Sequence, residues 1–203
     1  MINNFYFKIP KQIRLLILFI IVVFFALFIY FLLRFFVVEP KTIPENFLMA
    51  RQEASIIASE IVAISNESIN NLNEIAQLDK EKKYTEALLL TSQELERNRQ
   101  AREKAIKLSI QLEIMAKNLS QISPASASQL ALQAISSETG LISRLITYND
   151  YLTQLLEVLR EKFLGKDTGD KIPELIAKIN DEARAINDLN QKFNDVMKEF
   201  DAK

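Results

Sequence analysis

Leu130–Leu159 reads LALQAISSETGLISRLITYNDYLTQLLEVL, and its spacing decides the fold. Leu130, Ala134, Ser137, Leu141, Leu145, Tyr148, Leu152, Leu155 and Leu159 recur at steps of three and four, so one face of a single helix carries them all. Three flanking stretches repeat the pattern. Upstream lie Phe47, Ala50, Ala54, Ile57, Ile61, Ile64, Leu72 and Ile75, with Ser68 in the one gap. Next come Tyr84, Leu88, Thr91, Leu95, Ala105, Ser109, Leu112, Ala116 and Leu119. Downstream are Ile172, Leu175, Ile179, Ala183, Ile186, Leu189, Phe193, Val196 and Phe200. Strict alternation is nowhere sustained, so strands are not expected.

The breaks partition these stripes into helices of approximately 45–78, 82–122, 125–164 and 172–201. Asp79-Lys80-Glu81 is a polar turn, and Ser123-Pro124 ends one helix and begins the next, with Ser126 and Gln129 at capping-box spacing. Residues 165–170, GKDTGD, hold two of the three glycines, and Gly165 suits a left-handed helix terminus. Pro44 and Pro173 fall in first turns, where a missing N–H costs nothing. Short connections between long helices predict an all-α, antiparallel, up-down-up-down four-helix bundle with coiled-coil-like packing, occupying residues 45–203. It should be roughly 45–60 Å long at about 1.5 Å per residue. The 79–83 and 165–170 loops then share one end, with the 123–126 turn and the C-terminus at the other.

The start of the chain reads differently. Leu15–Leu33, LLILFIIVVFFALFIYFLL, is 19 residues without a charge, apolar on every face. At about 1.5 Å per residue it matches a hydrocarbon core of about 30 Å. Arg14 and Arg34 bracket it, while Tyr30, Phe35 and Phe36 suit the far interface. A cleaved leader would be shorter and would end in a small-x-small site, which RFFVVEPKTIP does not offer. The reading is therefore a basic tail at 1–14, a single-pass signal anchor with a transmembrane helix at 15–38, and a Pro-containing linker at 39–44. Lys8, Lys11, Arg14 and the α-amino group outnumber Arg34, Lys41 and Arg51 by one, favouring a cytoplasmic N-terminus and an extracytoplasmic bundle in the cell membrane.

Composition narrows the chemistry. The net charge of −1 conceals a basic start and, from Pro44 onward, 20 basic against 25 acidic residues. A mildly acidic bundle has no general attraction for phosphate backbones, so no nucleic-acid partner is expected. With no Cys and no His, thiolate chemistry, the commonest general base and the commonest zinc ligands are removed together. Only three glycines occur, none before Gly140, so phosphate-cradling loops are not available. No enzyme activity, cofactor or metal site is expected. Two polar features interrupt the stripes. Arg97, Arg99, Arg102 and Lys104 form a candidate interaction patch for an acidic partner or lipid headgroup, with Asn98 and Arg102 on the seam. Asn187, Asn190 and Asn194 form a candidate stripe for fixing register or holding a polar ligand, with Asn66, Asn70 and Asn73 as its counterpart. Ile106, Ile110 and Ile114 make a second apolar face that a fourth helix or another subunit would bury. The expected role is structural or protein–protein interaction, with the bilayer contacted through residues 15–33 and a protein partner or self-association through the bundle. The alternative is a ligand-sensing bundle signalling through a partner chain.

Overall fold

The computed structural model describes residues 41–202, and the expected basic tail at 1–14, the expected transmembrane helix at 15–38 and the start of the expected linker lie outside them. Four helices make the bundle: α1 Glu45–Lys80, α2 Tyr84–Lys117, α3 Ala125–Phe163 and α4 Lys171–Ala202. No helix among the described residues is long and apolar enough to cross a membrane. Cross-helix pairs show that neighbours run antiparallel. Glu60, Glu67 and Asn71 on α1 meet Lys104, Arg97 and Glu94 on α2 in reverse order. Phe47 and Arg51 at the start of α1 meet Phe200 and Asp201 at the end of α4.

Both ends are tied. At the Lys41 end, Thr42 and Ser123 exchange backbone hydrogen bonds of 3.0 and 3.1 Å, and Lys41 Nζ donates to the Phe200 carbonyl at 2.6 Å. At the Glu81 end, Lys162 pairs with Asp79 at 2.5 Å and the rings of Tyr84 and Phe163 stack at 6.0 Å. Gly165, at φ +82°, closes α3 with the Lys166 N–H reaching the Glu161 carbonyl, the paired bonding of a Schellman motif. The end of α1 uses the same device without a glycine: Lys82 takes φ +60° and the Lys83 N–H reaches the Leu78 carbonyl. Pro44 and Pro124 occupy N-cap positions without a side-chain cap, and Ser126 lies within the first turn of α3 rather than capping it.

The second helix departs from its expected reading. It ends at Lys117, not near residue 122, and a 3₁₀ turn over Leu119–Gln121 follows, with Asn118 Nδ2 donating to the Ile114 carbonyl. Its seam is Ala87, Thr91, Glu94, Asn98, Ala101, Ala105, Leu108, Leu112 and Met115, all buried at alternating steps of four and three. Tyr84, Ser109 and Ala116 from the expected stripe are exposed. The true seam passes through Glu94 and Asn98, so a search for apolar positions drifts off it.

Those polar positions divide the core. One apolar cluster fills the Lys41 end around Phe47, Leu108, Met115, Leu130, Met197 and Phe200. A second fills the Glu81 end around Ile75, Ala87, Leu152, Leu156, Phe163 and Leu175. Between them lies a buried polar belt of Ser68, Thr91, Glu94, Asn98, Asn149 and Glu182. Asn98 Nδ2 donates to the Asn149 carbonyl and to Thr153 Oγ1, each at 2.7 Å. Glu94 accepts from Asn71 Nδ2 at 2.7 Å and pairs with Arg97. Such a layer fixes register, because a one-turn slip would bury these groups against hydrocarbon.

Candidate functional site: the seam between the first and last helices

Three of the four helix–helix interfaces are closed by backbones in close approach: α1–α2, α2–α3 and α3–α4. The fourth, α1–α4, is joined at the Lys41 end and otherwise opens into two grooves. The cause is local. Helix α4 buries only Leu175, Ile179, Glu182, Met197 and Phe200, all directed at the core. Between them, α4 lines the grooves with Ile176, which is half exposed, and with Asn180, Ala183, Asn190 and Asn194, short or polar side chains that do not fill the space. On α1 the facing positions run Ser55, Ala58, Ile69, Asn73 and Ala76, with Val62 and Asn66 between them by helical spacing.

The far groove, at the Glu81 end, encloses about 530 Å³. Its walls are Ile69, Leu72 and Ile75 from α1 and Ile172, Ile176 and Ile179 from α4, over a floor of Tyr148, Leu155, Leu159 and Phe163 from α3. Ile69 is 51% exposed and Ile176 44% exposed, so aliphatic surface faces water on both banks. The only charges along it are Asp79 and Lys162, which neutralise one another at its end. Burial, and then the Glu94 carboxylate, pushes the Tyr148 phenol above its usual range.

The near groove, at the Lys41 end, encloses about 520 Å³. Leu112, Met115, Phe193 and Met197 wall it, and Asn190 and Asn194 stand at the rim with a 3.3 Å hydrogen bond between them. Into it opens Glu138 of α3, 7% exposed, with no hydrogen bond or ion pair among the described residues and with Oε2 wholly buried. Desolvation pushes its carboxyl up to about 7. The other two buried acids have cationic partners: Glu94 takes Asn71 and Arg97 on Oε1, its Oε2 having no hydrogen-bond partner, and Glu182 takes Arg144 at 3.3 Å. Sequence reasoning passed over Glu138. The signal was present, since it stands four residues after Ala134 and three before Leu141.

The basic patch is dispersed over two sides of α2 and neutralised. Arg97 pairs with Glu94 and Glu67, and Arg99 with Glu96 and Glu103. Arg102 is exposed and bonds Asp150 at 3.0 Å, and Lys104 bonds Glu60 at 2.6 Å. Asn98 is on the seam as expected, whereas Arg102 is not, because the heptad alternation carries the seam from Asn98 to Ala101. Of the asparagine stripe, Asn190 and Asn194 reach the near groove, while Asn187 is exposed and lines neither. Of the expected second face, Ile114 packs partly buried against the core, while Ile106 and Ile110 remain 49% exposed and no helix among the described residues covers them. No family model, curated protein or solved structure matches the chain.

Proposed function

We propose that the protein is a membrane-anchored helical-bundle interaction module that docks an amphipathic helix of a partner protein in the far groove of the α1–α4 seam. The anchor is Leu15–Leu33, supported by its length and uninterrupted apolarity, and the one-charge excess before it supports a bundle outside the cytoplasmic face. The observation that carries the docking role is the pair of facing stripes. Ser55, Ala58, Ile69, Asn73 and Ala76 on α1, and Ile176, Asn180, Ala183, Asn190 and Asn194 on α4, carry no charge along the middle of the seam, the charged lining residues of these two helices, Arg51, Asp79, Lys198 and Asp201, standing at its ends. Depletion of charge is what distinguishes interface cores from ordinary surface. The groove spans Ile69 to Asp79 on α1, about 15 Å or three helical turns, and accepts aliphatic anchors at steps of three and four. Its uncharged banks call for a partner face of aliphatic and small residues rather than ionic ones.

A photo-crosslinking residue at Ile69 or Ile176 in native membranes tests this. Adducts at aliphatic, helically spaced positions of another protein, lost when the opposite bank carries Ile176→Asp or Ile69→Asp, are expected. Absence of adducts, adducts insensitive to those substitutions, or adducts solely to a second copy of this chain would overturn it. The second reading, a ligand-sensing bundle that signals through a partner chain, draws its support from the near groove and its unmatched carboxyl.

A further inference from the structure

Glu138 is costly where it stands. A carboxyl among Ala134, Ile142, Leu112 and Met115 loses its hydration, and nothing among the described residues returns a hydrogen bond or a charge. The other buried acids each carry a counter-charge, Glu94 from Arg97 and Glu182 from Arg144, and Glu138 carries none. Its position adds a second fact, because the unmatched group opens onto a groove whose size falls within the range of small-molecule sites.

We propose that the near groove is a binding site for a small organic cation, a protonated amine carried on an apolar body, with the ammonium on Glu138. The charges around the groove select that class. From α1 comes Arg51, held by both oxygens of Asp201 at 2.7 and 2.8 Å. From α4 come Asp201 itself and Lys198, which leans on Asp195 at 3.7 Å. Helix α2 contributes only Leu112 and Met115. Both cations at the mouth are thus directed to other carboxylates, and Glu138 lacks a counter-charge. An ammonium supplies one at the floor, in a low-dielectric setting where a charge-assisted hydrogen bond is strong. The apolar body then covers Phe193 and Met197, and the rim amides of Asn190 and Asn194 present donors and acceptors to a polar tail. An anion is repelled by the floor. A hard divalent cation needs six or more oxygen ligands, and one carboxylate with rim amides does not provide them.

The site stands independently of the far groove and of whatever docks there. The test uses the full chain in phosphatidylcholine nanodiscs, with empty nanodiscs subtracted, and two probes of equal shape: benzylammonium and benzyl alcohol. At pH 8 the amine is expected to bind at least tenfold more tightly than the alcohol. Glu138→Gln, which keeps shape and removes charge, is expected to lower amine affinity about tenfold while leaving the alcohol within twofold. Carboxyl-carbon NMR of the unsubstituted chain is expected to show the Glu138 titration moving to lower pH when the amine is added. Equal binding of both probes, no binding of either at millimolar concentration, or an amine affinity unchanged by Glu138→Gln would each overturn the assignment.

Discussion

Glu138 shows how one side chain can set the pH response of a whole bundle. Its folded-state pKa, about 7, lies above the ordinary 4.5, so the native state keeps the proton longer than the unfolded chain does. Below about 4.5 both states are protonated and the group contributes no difference. As pH rises from there to 7, the unfolded chain ionises first and stability falls by on the order of 3 kcal/mol, then levels off. Urea unfolding at pH 5 and pH 8 measures this: the unsubstituted chain is expected to lose stability across that window relative to Glu138→Gln. Equal pH dependence in the two proteins would mean the carboxyl ionises as freely in the fold as outside it. The same scale holds a feature the sequence hid. Lys82 occupies a left-handed conformation that glycine normally fills, and with no glycine before Gly140 only the polar run Asp79-Lys80-Glu81 marked the end of α1.

At the scale of the helix, α2 separates charges that hold the bundle from charges that only decorate it. Arg97, with its side chain 23% exposed, matches a fully buried Glu94 and bridges to Glu67 on α1. Arg99, two residues on, is 59% exposed and pairs only within its own helix. Removing one member of a buried pair leaves an uncompensated charge, so Arg97→Ala is expected to destabilise by about 3 kcal/mol. Arg99→Ala should fall within about 0.5 kcal/mol of the parent. Thermal unfolding of the two variants distinguishes them, and equal effects would contradict the polar belt as a structural layer. This helix also marks where periodicity stopped being readable. Helices α1, α3 and α4 present isoleucine, leucine and phenylalanine to the core, so their stripes follow from spacing alone. Ser68 proved to be the buried polar member that its gap on α1 suggested. In α2 the middle of the seam is Glu94-Asn98-Ala101, while Leu88, Leu89 and Leu90 crowd several faces at once, and the apolar count followed the leucines. The buried polar groups of this seam have partners on other helices, Asn71 for Glu94 and the Asn149 carbonyl and Thr153 for Asn98, and such partners are not visible in one helix's period.

For the molecule as a whole, the four helices and their turns were legible because each connection is short and each core face is aliphatic. The open seam was not legible. Asn190 and Asn194 were legible as part of a stripe that fixes register or holds a polar ligand, and only the arrangement of α4 against α3 turns them towards a gap beside α1. The basic patch is clustered in sequence, and in the fold its members pair separately with Glu67, Glu103, Asp150 and Glu60. The central claim is that native membranes supply a helix that covers the far groove. The chain has no cysteine, so a single one introduced at Ile69, Ile176 or Ile110 reports on that position alone. These three sites are similarly exposed, at 51%, 44% and 49%. Maleimide labelling of each variant, first purified in nanodiscs and then in native membranes, tests the claim most directly. The account predicts labelling at least tenfold slower in native membranes at Ile69→Cys and Ile176→Cys, with Ile110→Cys unchanged. Unchanged rates at the two groove positions, or protection confined to Ile110→Cys, would contradict it.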